Sequence, residues 1–556
     1  MSMTEKEALQ AVRDKEGEFG PLYTRMKVDA DLAKRKPFTL VDDKGKKIPN
    51  CDHVTLPKAA IFCNRANAIT AAGNQQIIVE GGDIKDDVTS KIETFYRNCF
   101  ANADELLTLR NENPAFTFHS HMINERGRIG QRIILEIDEE GKFKVEIIPW
   151  DVLFVTYEYD KDGLAWASRI TIQSKSSINS TYEKANITAK VGKLRDFWSR
   201  EANYVYADDK LILSEANDLG EVPVAIAYSS AGLMYQDDDM EVNRGESILW
   251  LNRDLFKEAN KIVSTVSTLN SGSLFPPLQK EYEEIPNEQP PSPQGGTRTV
   301  VPVRKGELYH PMPREDVYQA TRMAWSIIDS HIQQGSFSTI EFGTLQFPLS
   351  AVALENLAEG RELVLAPGIQ ALSQMYLKSC NLIKRQFIKL GKTVELKGDS
   401  YSPSDIEGDY NLSFKYFTGS RKHMLAGITE SNDIGKLVSD DFKRRELIML
   451  ENPDEEAKKI DAEQAELMHP ELRVYNQTLG FMEEGRWSEA WMTRLKLRKM
   501  LMAEYSPQEP EQPRQAQPQG GQIPLFSGAS GKVNAREQSG ISSNQERQNA
   551  EELVVE

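Results

Sequence analysis

Between Arg244 and Leu390 the chain carries three long helical patterns, two of them separated by a segment rich in proline and glycine, and that order restricts the fold more than any other feature. The first pattern, Arg244 to Asn270, sets Ile248, Leu251, Leu255, Ala259, Ile262, Val266 and Leu269 three or four apart. This spacing predicts one apolar side on a continuous helix. At 1.5 Å per residue that helix is about 40 Å long. The small polar residues and glycine of Asn270-Ser271-Gly272-Ser273 supply its stop. Within residues 271–313, Thr297 to Val303 is β-branched and strand-like, and Gly306 to His310 reads as a turn and next strand. Pro286 to Gly296 is a polar loop tip. The second helix runs from Arg314 to Gln334, with Val317, Ala320, Ala324, Ile327, Ile328 and Ile332 on its apolar side, and Gly335 ends it. The loop Ser336 to Pro348 leads into a third, Leu349 to Leu390, which Pro367 is expected to kink.

Upstream, Met1 to Lys34 reads as helical and charged, and Arg35 to Leu56 as a short hairpin turning at Asp42-Asp43-Lys44-Gly45. Helices are expected around Ala59 to Ala71 and from Asp86 to Leu109, the latter with Val88, Ile92, Tyr96, Phe100 and Leu106 inward. From Ala115 to Ala227 the dominant period becomes two. Hairpins are expected around Asp138-Glu139-Glu140-Gly141 and Asp160-Lys161-Asp162-Gly163. A third joins Phe197 to Tyr206 with Leu211 to Ser214, and Val222 to Ala227 is a last strand. After the third long helix come a strand, Asn411 to Phe417, and helices at Arg421 to Leu437 and Asp440 to Leu450, with Asp440 as N-cap of the second. Three more run from Pro453 to Met468 and then to Tyr505, punctuated by Pro470 and Gly485.

Helix out, small β-rich knob, helix back, loop, long kinked helix: over roughly Ile129 to Glu466 this order resembles the core of the portal proteins of tailed bacteriophages. The resemblance implies an α+β portal fold. Residues 1–243 would form an α/β wing, 244–270 and 314–335 the two-helix stem, and 271–313 a small β-containing clip. Residues 336–348 would be a tunnel loop, 349–445 the rest of the wing with its long kinked helix, 446–505 a helical crown and 506–556 a disordered tail. The crown is modest beside that of the family's larger members.

The resemblance also implies a homo-oligomeric ring, dodecameric in this family, at one vertex of the capsid in the virion, assembled in the host cytoplasm. Its partners would be the large terminase subunit, head-completion or adaptor proteins, and the major capsid and scaffolding proteins. Double-stranded DNA would pass through in packaging and ejection without sequence readout. A runner-up is a non-portal virion connector or scaffold that assembles through the same helical hairpin.

Site residues follow from that frame, each beside a plainer reading. In the tunnel loop Phe337, Phe342 and Phe347 surround one charge, Glu341. They would contact DNA by shape, or pack beneath the loop as compact loops often do. Lys257 and Lys261, one turn apart and off the apolar stripe, would face phosphates in the stem lumen, or solvent. Arg298, Arg304 and Lys305 would meet an acidic partner at the clip, or be ordinary surface charges. The two stem stripes usually mean core, but so small a knob cannot bury both, and neighbouring copies in a ring would.

The formal charge of -17 and pI near 5.2 argue against a protein that wraps nucleic acid, which needs clustered cations. An acidic wall can still let DNA slide. No enzyme, cofactor, metal or membrane role is expected. Ser527 to Val533 imitates a phosphate loop but lacks its first glycine and the hydroxyl after Lys532. His119 and His121 would share a face on a strand, without further ligands. Asp237-Asp238-Asp239 and Glu283-Glu284 fit no calcium loop and read as solvated acidic turns. Cys51, Cys63, Cys99 and Cys380 have no close pairing and suit free thiols in a reducing cytoplasm. The polar start, Met1 to Gln10, and the lack of an apolar run of about 20 residues predict a soluble intracellular protein.

Overall fold

Residues 128 to 228 alternate because they build two antiparallel sheets, and the helices pack around these. The computed structural model describes residues 3–49, 51–80, 86–182, 187–274, 278–283, 300–306, 315–337, 351–417, 428, 431–432, 434–448, 450 and 453–505. It is an α+β structure of two compact units, Met1–Ala462 and Glu463–Glu556.

In the first unit α1 (Glu5–Glu18) opens on a capping box: Glu7 accepts from the Thr4 amide at 2.8 Å while the Thr4 hydroxyl accepts from the Glu7 amide. α2 (Gly20–Ala33) has proline in its first turn. The expected turn at Asp42 to Gly45 forms, closed by an isolated bridge between Val41 and Lys47. Then come α3 (Lys58–Ala71), β1 (Asn74–Glu80) and α4 (Asp86–Leu109). α4 buries the expected Ile92 and Tyr96 together with Phe95, Cys99, Ala103 and Leu107, while Phe100 and Leu106 are half-buried and Val88 is exposed. α5 (Ala115–Arg126) replaces the alternating pattern expected from Ala115. Two positions along a helix lie roughly 200° apart. His119 is therefore buried while His121 is exposed, and they share no face.

The three-stranded sheet runs β3-β2-β9 and the five-stranded meander β4-β5-β6-β7-β8. β2 (Arg128–Ile137) and β3 (Phe143–Trp150) turn where expected, with the Asp138 carboxylate accepting from the Glu140 and Lys142 amides. β4 (Val155–Asp160) and β5 (Gly163–Ser174) form the second expected hairpin. The expected strand Phe197 to Tyr206 is in fact two, β6 (Val191–Ser199) and β7 (Ala202–Ala207). Ser199 Oγ accepts from the Ala202 amide at 3.0 Å, and this turns the chain at Ser199-Arg200-Glu201. α6 (Lys175–Thr181) lies between β5 and β6 in sequence. β8 (Lys210–Ala216) follows a two-residue turn in which Asp208 and Asp209 both have positive φ, the hairpin geometry these residues tolerate. α1 covers one face of the meander with Ala8 and Val12, against Trp166, Phe197, Tyr204 and Tyr206. β9 (Val224–Tyr228) and α7 (Met240–Asn243) lead to the stem.

α8 (Arg253–Leu274) begins nine residues later than expected and runs past the expected stop. It precedes β10 (Leu278–Tyr282) and β11 (Val300–Arg304), a parallel pair. The return helix α9 (Glu315–Gln334) matches expectation. The clip tip 286–296, the stretch 307–313 and Arg298 lie outside the described residues, as do tunnel-loop residues 338–348 and the tail with Ser527 to Val533.

α10 (Ala351–Leu390) continues through Pro367 and lies across the three-stranded sheet. Leu372, Met375, Ile383 and Phe387 meet Ile129, Ile133, Val145 and Trp150 in the main core. Gln386 holds the contact by accepting from the Leu135 amide and donating to the Ile133 carbonyl. Truncating a ring such as Phe387, fully buried, costs about 3–5 kcal/mol in cores of this kind. β12 (Val394–Leu396), β13 (Asp399–Tyr401) and α11 (Pro403–Ile406) lead to β14 (Asn411–Phe417), which pairs antiparallel with β1.

Most of the expected helix Arg421 to Leu437 lies outside the described residues. In the next, Ser439 and not Asp440 is the N-cap: its hydroxyl accepts from the Phe442 amide at 3.1 Å. One turn then widens into a π-helix, Lys443–Leu447. α12 (Pro453–Met468) contains the division between the two units. The second unit holds α13 (Pro470–Glu483) and α14 (Trp487–Tyr505), packed on each other with Val474, Thr478 and Ala490 buried.

Candidate functional site

The root of the α8–α9 pair is held by a joint, a strap and a set of buried arginines. At the joint Asn252 donates to the Ile332 carbonyl at 3.0 Å. A side chain on Gly335 would meet the Asn252 carboxamide at 2.6 Å, so glycine is what lets α9 end against the start of α8. Phe337 then turns inward. It is 2 % exposed and stands edge-on to Phe62 of α3, with ring centroids 5.0 Å apart, among Phe256, Ala259, Ile332 and Leu365. This corrects its assignment to a DNA-facing surface: Phe337 is core. Lys58 pairs with Asp329 and lies over the Trp325 ring at 4.8 Å, tying α3 to α9.

The strap is the extended stretch Asp52 to Leu56. Its amides at 52, 54 and 56 donate to Thr268 Oγ1, Ser264 Oγ and Asn260 Oδ1 at 2.9, 2.9 and 2.8 Å. Every second amide of an extended chain points the same way, and every fourth residue of a helix shares a face. The polar residues of α8 thus read the strap as a ladder. Ser267 and Ser271 donate to the Asp52 carboxylate, holding its carboxyl below the usual range.

The arginines fix the linker between β9 and α8. Gly127, at φ +73, ends α5; a side chain there would strike the Gly245 carbonyl at 2.1 Å, so the linker crosses α5 in contact with its last turn. Arg253 forks onto Asp29 at 2.6 and 2.9 Å and reaches Glu246 at 2.5 Å. Arg25 donates to the Val242 and Gly245 carbonyls and pairs with Glu246 at 3.3 Å. Arg128, 1 % exposed, bonds the Glu241 and Arg244 carbonyls at 2.7 and 2.9 Å and the Tyr157 hydroxyl at 2.7 Å. Burial pushes the Arg25 guanidinium down to about 10. For Arg253 burial acts the same way, but hydrogen bonds and charges of Asp29 and Glu246 outweigh it and raise the group. Arg25 and Arg128 take the carbonyls of Glu241, Val242, Arg244 and Gly245, and Arg253 takes the Glu246 carboxylate, so the start of the expected helix is held outside an α-helix. The arginines are scattered in sequence at 25, 128 and 253, so no local signal marks them.

The other expected site residues are placed as follows. Lys257 and Lys261 are exposed on α8, each near its own carboxylate, Asp254 at 3.9 Å and Glu258 at 3.7 Å. Arg304 ends β11, and Lys305 pairs with exposed Glu283 at 3.3 Å. Glu341, Phe342 and Phe347 lie outside the described residues, as does Glu284. Asp237, Asp238 and Asp239 are exposed. Among the described residues no cluster of three or more His, Cys, Asp or Glu is arranged to hold a metal, and no helix is long and apolar enough to cross a membrane. A cavity of about 450 Å³ opens beside the joint, lined by Trp250, Leu251, Gln334, Gly335, Leu363 and Pro367. Leu251, Met323, Ile327 and Leu363 stand 48–69 % exposed around the stem.

No family model matches this chain, and no curated protein does. Among solved structures, a chain from the neck of an empty GTA particle, computed with C6 symmetry, is 11 % identical. The match covers 71 % of this chain and 90 % of that one at a TM-score of 0.32. A chain from the neck of a native GTA particle, computed with C12 symmetry, is also 11 % identical, covering 70 % and 89 % at the same TM-score. A likeness this low decides nothing about what the chain does.

Proposed function

We propose that this chain is the subunit of a portal-type ring, dodecameric as in the family its element order resembles. It carries out no reaction of its own. The supporting observation is the contrast along the stem: its root is pinned by the joint, strap and arginines, while Met323 and Ile327 of α9 remain 68 % and 48 % exposed. Apolar side chains left outside a rigid helix pair are what neighbouring copies in a closed ring cover. The clip would dock the packaging motor and later the head-completion proteins, the wing would meet the capsid, and the channel would pass double-stranded DNA.

The stem surface suits passage better than capture. Lys257 and Lys261 alternate with Asp254 and Glu258 within 4 Å, so local charges nearly cancel and no row of cations grips phosphate. Pro367 lacks the amide that would bond four residues back, and it borders the cavity beside the joint. That combination gives α10 a place to bend without unpacking its C-terminal half from the sheet. Electron microscopy of the purified chain together with its solution mass tests the proposal. Rings with a central hole are expected; a monomer or dimer across a range of salt concentrations overturns it.

A further inference from the structure

A second cleft, of about 580 Å³, lies where the two sheets meet the turn after α4. Arg169, Thr171 and Gln173, alternate residues of β5 and therefore on one face, line it on one side. Ile148 and Pro149 of β3, Phe118 of α5 and the turn residues Arg110 to Asn113 line the rest. Two of its charged groups are engaged. Arg110 is bound to Glu146 at 2.7 Å, and Asp151 accepts from Arg126 at 3.4 Å and from the Leu153 amide. Glu112 sits exposed at the rim. Arg169 differs: its guanidinium rests 6.0 Å from the Trp150 ring centre and has no hydrogen bond or ion pair among the described residues. A half-buried arginine with all its donors unspent is an unfilled carboxylate fork.

A matching object exists on the same chain. The loop Leu233 to Asp239 presents Leu233, Met234 and Tyr235, 38–73 % exposed, followed by the exposed carboxylates Asp237, Asp238 and Asp239. Those carboxylates have no ion pair among the described residues. An apolar part and an acidic part in sequence mirror the cleft, which has Phe118, Ile148 and Pro149 beside Arg169. The cleft borders β3 at one edge of the three-stranded sheet, and the loop follows β9 at the other. Complementary surfaces on opposite edges produce head-to-tail contacts, the kind that closes rings.

We propose that the Arg169 cleft of one copy receives the Leu233 to Asp239 loop of the next copy, with Arg169 bound by the aspartates. This rests on the ring reading above and gives it a specific contact. The test compares ring formation by the full-length wild type, Arg169→Glu, the loop variant Asp237→Lys/Asp238→Lys/Asp239→Lys, and an equal mixture of the two variants. Circular dichroism melts establish that each is folded. Each variant alone should need about tenfold more protein to assemble, since like charges then face each other. The mixture should recover, because alternating copies restore opposite charges at every interface. Wild-type rings with variants that assemble equally well overturn the cleft contact and leave the ring standing, as does a mixture that fails to recover. A wild type that forms no rings overturns both. Should Arg169→Glu not fold, Arg169→Gln replaces it. The combined variant must then lose less than the loop variant, because the lysines no longer face a cation, and additive losses overturn the pairing.

Discussion

The buried line of α8 reads Phe256, Ala259, Asn260 and Ser264, whereas α14 carries Trp487, Trp491, Met492, Leu495 and Met502 on exposed positions. The first helix hides polar groups and the second displays apolar ones. Side-chain polarity alone decides neither outcome; the available partner does. Asn260 and Ser264 are buried because the strap presents amides at the right interval, and α14 has only α13 to pack on among the described residues of its unit. A hairpin of two helices, 14 and 19 residues long, cannot bury every side.

The largest test of this contrast removes a satisfied buried charge. Arg253→Ala leaves Asp29, which is fully buried, without its cation and Glu246 with Arg25 alone, and should destabilise the first unit by about 3–5 kcal/mol in thermal or denaturant unfolding. Its counterpart in the turn before α14, Arg486→Ala, loses two solvent-accessible ion pairs, with Glu484 and Glu489, and a contact over the Phe481 ring, and should move the melt far less. Equal effects would erase the distinction between the two regions.

Next comes Glu93, 4 % exposed on α4. Burial pushes its carboxyl up to about 7, assisted by Asp454 and opposed by the Val79 amide and by Arg445 and Arg97. The folded state therefore holds this proton more tightly than the unfolded state. The group's stabilising contribution is complete below its ordinary value of 4.5 and is lost as pH rises through about 7. Glu93→Gln should flatten that fall and be more stable than wild type by roughly 2–3 kcal/mol near pH 8. An unchanged slope would place the dependence in another group. Glu489, half-buried on α14 and held below the ordinary range by the Arg486 hydrogen bond, should give no such signature.

A smaller effect is expected at the strap. Ser264→Ala removes the acceptor of the Val54 amide, which should cost about 1 kcal/mol and speed hydrogen exchange at Val54 ahead of the α8 interior. Smallest is Trp491→Ser, with 59 % of the residue already in solvent. It should leave the melt of the isolated chain unchanged and lower its tendency to associate, measured by light scattering. A large loss of stability would mean that the indole is packed after all.

The hairpins at Asp138 and Asp160, α4, α9, α10 and the helices from Pro453 to Tyr505 were legible because each rests on a local signal: a turn of Asp and Gly, a helix-opening proline, or an apolar stripe long enough to count. What sequence periodicity misread was set by distant partners. α5 shows weak alternation and is helical because both its faces are used, with His119 buried against Tyr376 and Asn124 bonded to Asn67 and Thr70 of α3. The run from Phe197 to Tyr206 is interrupted by Ser199-Arg200-Glu201, a polar stretch without glycine or proline, and there the serine hydroxyl closes the turn. Along the expected helix Arg244 to Asn270 an apolar count picked Leu251, which precedes α8 and is 58 % exposed, and passed over Asn260 and Ser264. The three arginines of the linker act on main-chain carbonyls and on acids far away in sequence, a pairing that no periodicity reports. Phe337 was equally readable as core or surface until Phe62 was placed beside it.

The strap on α8 has a length limit built into it. Two residues of extended chain advance about 6.6 Å, and four residues of helix about 6.0 Å. The two scales work as a vernier that slips about 0.6 Å at each rung, so after three or four rungs the mismatch approaches 2 Å and exceeds what a hydrogen bond tolerates. An open sheet edge has one repeat on both sides and can go on recruiting strands. A helix read this way accepts a short peptide in register and then stops of its own accord, and so α8 can bind an extended chain without becoming a template for more.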